Sequence, residues 1–131
     1  MTIDEIMRAA PVIPVLVLDE ERDWAELAET FVTSGLPVLE VTLRTPVAME
    51  AIRQMSRVPG AIVGAGTVLN EVQLAQAIDA GSRFIVSPGL TNPLALAARD
   101  TYRPMPDCQK RVAEITSWLA DTVSPYSESV R

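Results

Sequence analysis

Val38-Leu39-Glu40-Val41-Thr42-Leu43-Arg44-Thr45-Pro46 reads as a strand that feeds directly into a helix. β-branched and apolar residues dominate it, and turn residues bound it. Successive strand side chains point to opposite faces, so Leu39, Val41 and Leu43 share one side and Glu40, Thr42 and Arg44 the other. A carboxylate, a hydroxyl and a guanidinium thus line one face of a strand whose other face is apolar. Thr45-Pro46 is expected to form an N-cap and first helical residue. Polar side chains at the C-terminal end of such a strand stand where α/β folds place chemistry.

The same unit recurs on both sides. Val12 to Leu18 is an almost unbroken apolar run, expected as a strand buried on both faces, although Pro14 points to an edge or a bulge. Asp19 to Ser34 follows as a helix, with Trp24, Leu27, Ala28, Phe31 and Val32 at helical spacing and Gly35 at its end. After the central strand, Pro46 to Arg57 is a helix with Ala48, Ile52 and Met55 on one face. Ala61 to Thr67 is a third strand. Asn70 caps the next helix, Gln73 takes the capping-box position, Leu74, Ala75 and Ile78 face inward, and Gly81 ends it. Arg83 to Ser87 is a fourth strand, Pro88-Gly89 a turn, and Thr91 or Asn92 caps a helix to about Arg99. Thr2 to Ala10 forms a short helix in front, with Thr2 and Glu5 as a capping box.

Strand, turn and helix therefore alternate four times, which predicts a parallel sheet covered by helices. The unit suits a (β/α)₈ barrel, but such a barrel takes roughly 200 residues or more. This sequence of 131 residues holds about half. The expected fold class is α/β: parallel (β/α) repeats, a half TIM barrel of about four βα units over residues 1–99. Residues 100–131 form a divergent segment: a Pro-rich linker, then an amphipathic helix over Asp107–Thr122 with Val112, Ile115, Trp118 and Leu119 along it. That stripe reads as a core or interface face.

Composition narrows the chemistry. Seventeen acidic against eleven basic residues, net charge −6, argue against nucleic acid as a partner. No apolar run reaches the ~18 residues of a membrane span, and the start carries no signal-peptide pattern. One cysteine, Cys108, allows no intrachain disulfide and fits a cytoplasmic protein. There is no histidine, so imidazole catalysis and histidine metal sites are excluded, and Asp or Glu must act as any general base near neutral pH. Lys110 is the one lysine.

Glu40 is the candidate proton carrier. Burial between apolar neighbours should raise its pKa, and Arg44 should lower it. Arg44 could hold a carboxylate or phosphate in a bidentate grip. The competing reading is a structural Glu40–Arg44 ion pair. Gly64-Ala65-Gly66 brings backbone N–H groups near an anion or simply makes a tight turn. It is no dinucleotide fingerprint, because Leu69 stands where the third glycine belongs. Ser87-Pro88-Gly89 reads as a turn, with no base partner for a nucleophile.

Pro11-Val12-Ile13-Pro14-Val15-Leu16, Leu39-Glu40-Val41-Thr42-Leu43-Arg44-Thr45, Val63-Gly64-Ala65-Gly66-Thr67-Val68-Leu69-Asn70 and Val86-Ser87-Pro88-Gly89-Leu90-Thr91 together resemble the first half of the 2-keto-3-deoxy-6-phosphogluconate (KDPG) aldolases, a family that also cleaves 4-hydroxy-2-oxoglutarate. The resemblance runs over residues 1 to about 99. It implies a (β/α)₈ barrel, often a trimer, and a class I aldolase without metal or cofactor. It implies pyruvate and KDPG as ligands, with KDPG cleaved to pyruvate and glyceraldehyde 3-phosphate. By motif, Glu40 is the expected acid/base, Arg44 and Thr67 the residues holding the pyruvate carboxylate, and Pro88 a residue lining that site.

The family's Schiff-base lysine belongs to a later Phe-Lys-Phe-Phe-Pro-type motif, which this sequence does not contain. Lys110 matches nothing. The expectation is therefore a truncated aldolase, inactive as this chain. The alternative is a keto-acid-binding or oligomerising module that associates through open strand edges at Val12–Leu18 and Arg83–Ser87.

Overall fold

β2 (Val38–Thr42) is the middle strand of a three-stranded parallel sheet in the computed structural model, which describes residues 1–20 and 22–101. Its neighbours are β1 (Val15–Leu16) and β3 (Ile62–Gly66). Around them stand α1 (Ile3–Ala9), α2 (Trp24–Thr33), α3 (Ala48–Met55), α4 (Glu71–Asp79) and α5 (Asn92–Thr101). The expected helix at Asp107–Thr122, Cys108 and Lys110 lie outside the described residues. No described helix is long and apolar enough to cross a membrane.

The two faces of the sheet differ. Leu39 and Val41 of β2 and Val63 and Ala65 of β3 are wholly buried. They face α3, which lies against both strands and also touches α2 and α4. Short parallel crossovers are right-handed and put successive helices on one side, which is why a single face takes this layer. Ala48, Ala51, Ile52 and Met55 form the buried stripe of α3, so the predicted spacing of Ala48, Ile52 and Met55 holds.

The opposite face is closed at the N-terminal ends of the strands. There Ile6 and Ala10, at α1, pack with Val38 and Phe84, and Ile13 and Ile62 join from the rim. α1 is held by its capping box: Thr2 Oγ1 accepts from Glu5 N at 3.2 Å, and the Glu5 carboxylate accepts from Thr2 N. Toward the C-terminal ends the same face carries the half-buried Glu40 and the buried Thr42.

Several expected elements are shorter. The first strand spans Val15–Leu16 instead of Val12–Leu18, and Val12, Val15 and Val17 are more than half exposed, not buried on both faces. The reason is its place at the edge. Pro14 has no N–H to give the ladder, and only its carbonyl pairs, accepting from Glu40 N at 2.9 Å. The fourth strand is reduced to one parallel bridge, Ile85 beside Ala65. Arg83 N, Phe84 O and Val86 N do hydrogen-bond to β3, but Pro88 and the Ser87–Gly89 turn end the ladder at once.

Two helix starts also differ. α2 begins at Trp24, where Asp23 accepts from Glu26 N at 3.1 Å; Asp19 to Arg22 precede it. α3 begins at Ala48 without a side-chain cap, because the Thr45 hydroxyl instead donates to the Leu18 carbonyl. α4 keeps its predicted cap: Asn70 accepts from Gln73 N at 2.9 Å, while Gln73 accepts from Leu69 N at 2.8 Å. Leu74 is buried there, but Ala75 is exposed and Ala77 takes the inward place. Gly81 ends α4 at φ +103°, and Ser82 N returns to Ala77 O, the closing bond of a Schellman turn. A Cβ at Gly81 would also stand 2.9 Å from Ser56 Cβ.

Candidate active site

Glu40 is set in place by its backbone before its side chain does anything. Its N–H donates to Pro14 O, and the parallel register puts Val15 on one side of it and Gly64 on the other. The side chain lies on the face turned away from α3 and is half-buried. Its carboxyl leans toward the C-terminal end of the neighbouring strand and lies across Gly66, with Oε1 2.1 Å from where a Cβ on that residue would be. Burial pushes the Glu40 pKa up, and the Arg44 charge partly offsets this.

Arg44 follows β2 in an exposed turn. It forms no ion pair with Glu40 among the described residues; its charge reaches the carboxyl without contact. The structural ion pair considered from sequence is therefore not formed. Thr42 does not join a polar row either. It is almost fully buried, and its hydroxyl donates to Leu16 O at 3.1 Å, tying β2 to the end of β1.

Thr67 has φ +60°, the left-handed region that a β-branched residue rarely enters. Such a conformation costs on the order of 1–3 kcal/mol and persists only where its surroundings enforce it. Here both neighbours are pinned. Gly66 O accepts from Leu43 N at 2.8 Å, and Val68 N donates to Val86 O at 3.1 Å. These two bonds also gather the C-terminal ends of β2, β3 and the 83–87 segment. Arg44, Thr67 and Pro88 thus each follow a strand end at the same rim. Pro88 is exposed in its turn, and the Ser87 hydroxyl is engaged with the Gly89 backbone at 2.6 Å, as a turn and not as a nucleophile.

The left-handed Thr67 carried no sequence signal, since Thr is not a residue that marks positive φ. The contact of Glu40 with Gly66 had one: both fall on the same strand face by alternation, across one ladder.

The Glu40 carboxyl sets a pH dependence. A raised folded pKa means that the folded chain holds this proton more tightly than the unfolded chain. Its contribution to stability is complete below the unfolded value of about 4.3 and is lost as pH rises through the folded value. Glu40→Gln should therefore melt at a higher temperature than the parent at neutral pH, and at the same temperature near pH about 4 or below. Melting curves at both pH values check this; parallel curves throughout would mean that the carboxyl is not desolvated.

The described residues thus form a parallel α/β sheet with a half-buried carboxyl on one face and Arg44 and the left-handed Thr67 at the C-terminal ends of its strands. The family model "KDPG and KHG aldolase" matches residues 3–120, and the chain belongs to that family. It is 61% identical over 92 residues to the 2-dehydro-3-deoxy-phosphogluconate aldolase of Zymomonas mobilis, covering 70% of this chain and 44% of that one. It is 48% identical over 103 residues to the KHG/KDPG aldolase of Escherichia coli, covering 78% and 48%. The chain spans about half the length of the curated relatives it matches. Among solved structures, a Zymomonas mobilis KDPG aldolase superposes with a TM-score of 0.73 at 56% identity, over 77% of this chain and 49% of that one. The Legionella pneumophila KDPG aldolase, captured with pyruvate as a covalent carbinolamine, superposes at 0.72 and 41% identity, over 79% and 51%. The three-stranded parallel sheet with its helices is an α/β fold similar to the KDPG aldolase structures over the matched residues.

Proposed function

We propose that this chain carries the proton-transfer and carboxylate-binding part of a class I KDPG aldolase site, built on four βα units of a (β/α)₈ barrel. In that reaction an amine condenses with the keto group of KDPG, and the resulting iminium takes up the electron pair released as the carbon–carbon bond breaks. Pyruvate and glyceraldehyde 3-phosphate result. Glu40 moves the protons: it takes the one on the hydroxyl that becomes the aldehyde. A carboxyl whose pKa is pushed up is suited to this, since it both gives and takes a proton closer to neutral pH. Arg44 and Thr67 hold the carboxylate of the keto acid, and Pro88 lines the site. A cytoplasmic enzyme assembling as a homo-oligomer, a trimer by family pattern, goes with this reading.

The observation that carries it is the half-buried Glu40 carboxyl laid across Gly66, on the strand face that leads to Arg44 and Thr67. The amine is the missing part, because no stretch of these 131 residues matches the lysine motif. That favours a second reading for the chain taken alone, a keto-acid-binding module without turnover.

Borohydride reduction in the presence of pyruvate separates the two. The purified chain alone should gain no mass. A reduced pyruvate adduct on Lys110 would show that the chain supplies its own amine and would overturn the division proposed here.

A further inference from the structure

We propose that Gly66 is the positioning residue of the Glu40 carboxyl: the side chain it lacks is the recess in which that carboxyl lies. A Cβ built on Gly66 would meet Glu40 Oε1 at 2.1 Å, Cδ at 2.9 Å and Cγ at 3.0 Å, and all three nearest atoms belong to Glu40. Real Cβ contacts do not come so close, so an alanine here and the carboxyl in its present place exclude each other.

The backbone gives no other reason for glycine. Gly66 is not among the positive-φ glycines, so an alanine would meet no conformational penalty. Glycine in a strand interior weakens the strand, and its usual meaning is the close approach of another group. Here that group is a side chain from the adjacent strand.

A second glycine strengthens the case. Gly64 is the register partner of Glu40, and a Cβ there would stand 2.3 Å from two carbons of the Phe84 ring. The ring therefore fills the lane beside Glu40, at the level of its own backbone. The carboxyl is left the lane one pair further along, over Gly66, which leads to the rim where Arg44 and Thr67 stand. Gly64-Ala65-Gly66 is thus neither a tight turn nor an anion loop. It is a strand whose two bare positions receive an aromatic ring and a carboxyl. The proposal rests on the aldolase reading only for what Glu40 does, not for where it lies.

The test uses the full chain without substrate, so its outcome is independent of turnover. The titration of the Glu40 carboxyl is followed by carbon NMR, with Glu40→Gln to assign the resonance. In Gly66→Ala the carboxyl is pushed out to solvent, and its midpoint should move down toward that of an ordinary glutamate. Arg44, the charged group that acts on it, is unchanged in both proteins. Any loss of melting temperature in Gly66→Ala should be absent from Gly66→Ala/Glu40→Ala when that protein is compared with Glu40→Ala. An unmoved midpoint, whatever happens to stability, overturns the proposal. If Gly66→Ala does not fold, the double variant decides: folding restored supports the proposal, and folding still lost overturns it. Failure of pyruvate binding or of adduct formation would leave these results as they are, and would bear on the aldolase reading alone.

Discussion

Ile52→Ala is expected to destabilise the folded chain by about 2–5 kcal/mol, the range for removing most of a fully buried aliphatic side chain. Ile52 is wholly buried on α3, the helix that lies against β2 and β3 and also touches α2 and α4. Its neighbours on the same stripe, Ala48 and Ala51, are already small, so the cavity has little to collapse into. Domains of this size have about 5–15 kcal/mol in total, and the loss would take a large part of it. Urea unfolding followed by circular dichroism measures it. Glu50→Gln on the solvent side of the same helix is the control. It removes an exposed pair with Arg53, at 2.6 Å, and should leave the unfolding midpoint unchanged. A loss in Ile52→Ala no larger than in the control would mean that α3 is not the helix that holds the sheet.

That helix was readable from the sequence because its signal is local. Ala48, Ile52 and Met55 recur at helical spacing, and any helix over these residues buries that stripe. β2 and β3 were readable for the same reason, as were the caps at Thr2 and Asn70. What was misread depends on partners far along the chain. Thr45 looked like a cap, but the Leu18 carbonyl, at the end of another strand, takes its hydroxyl. Thr42 looked like part of a polar row, but its hydroxyl serves Leu16. The first and fourth strands looked longer than they are, since apolar runs announce strand propensity and not the pairing that ends at Pro14 and Pro88.

The site divides in the same way. The face that Glu40 takes followed from alternation, and its raised pKa from its apolar neighbours in the strand. That its carboxyl reaches Gly66 needs the register between two strands, which no single stretch contains. The positive φ of Thr67 is imposed by bonds from Leu43 to Gly66 and from Val68 to Val86, so it belongs to the assembled rim and not to the residue.

Arg44→Ala should weaken pyruvate binding at least tenfold while leaving the melting temperature unchanged near pH about 4, where Glu40 is protonated, and only slightly lower at neutral pH. Arg44 is exposed, and among the described residues it makes no ion pair that the fold would lose. A guanidinium offers a planar fork of donors matched to a carboxylate. Hydrogen bonds to charged groups are worth about 1.5–3 kcal/mol each, which is roughly a 10- to 150-fold change in affinity. Arg44→Lys keeps the charge but loses the fork, and should fall between the two. Binding to the parent should weaken with added salt more than binding to Arg44→Ala, since the exposed charge is screened. Calorimetry on the three proteins measures this, and equal heats would remove Arg44 from the carboxylate site. A second reading comes from Glu40. Arg44 lowers the pKa of that carboxyl against the larger effect of burial, so its removal should let the Glu40 titration rise further. A Glu40 midpoint that rises while pyruvate affinity holds would confine Arg44 to tuning the acid. A fall in affinity with it would give one guanidinium both tasks, holding the keto acid and keeping Glu40 able to release its proton.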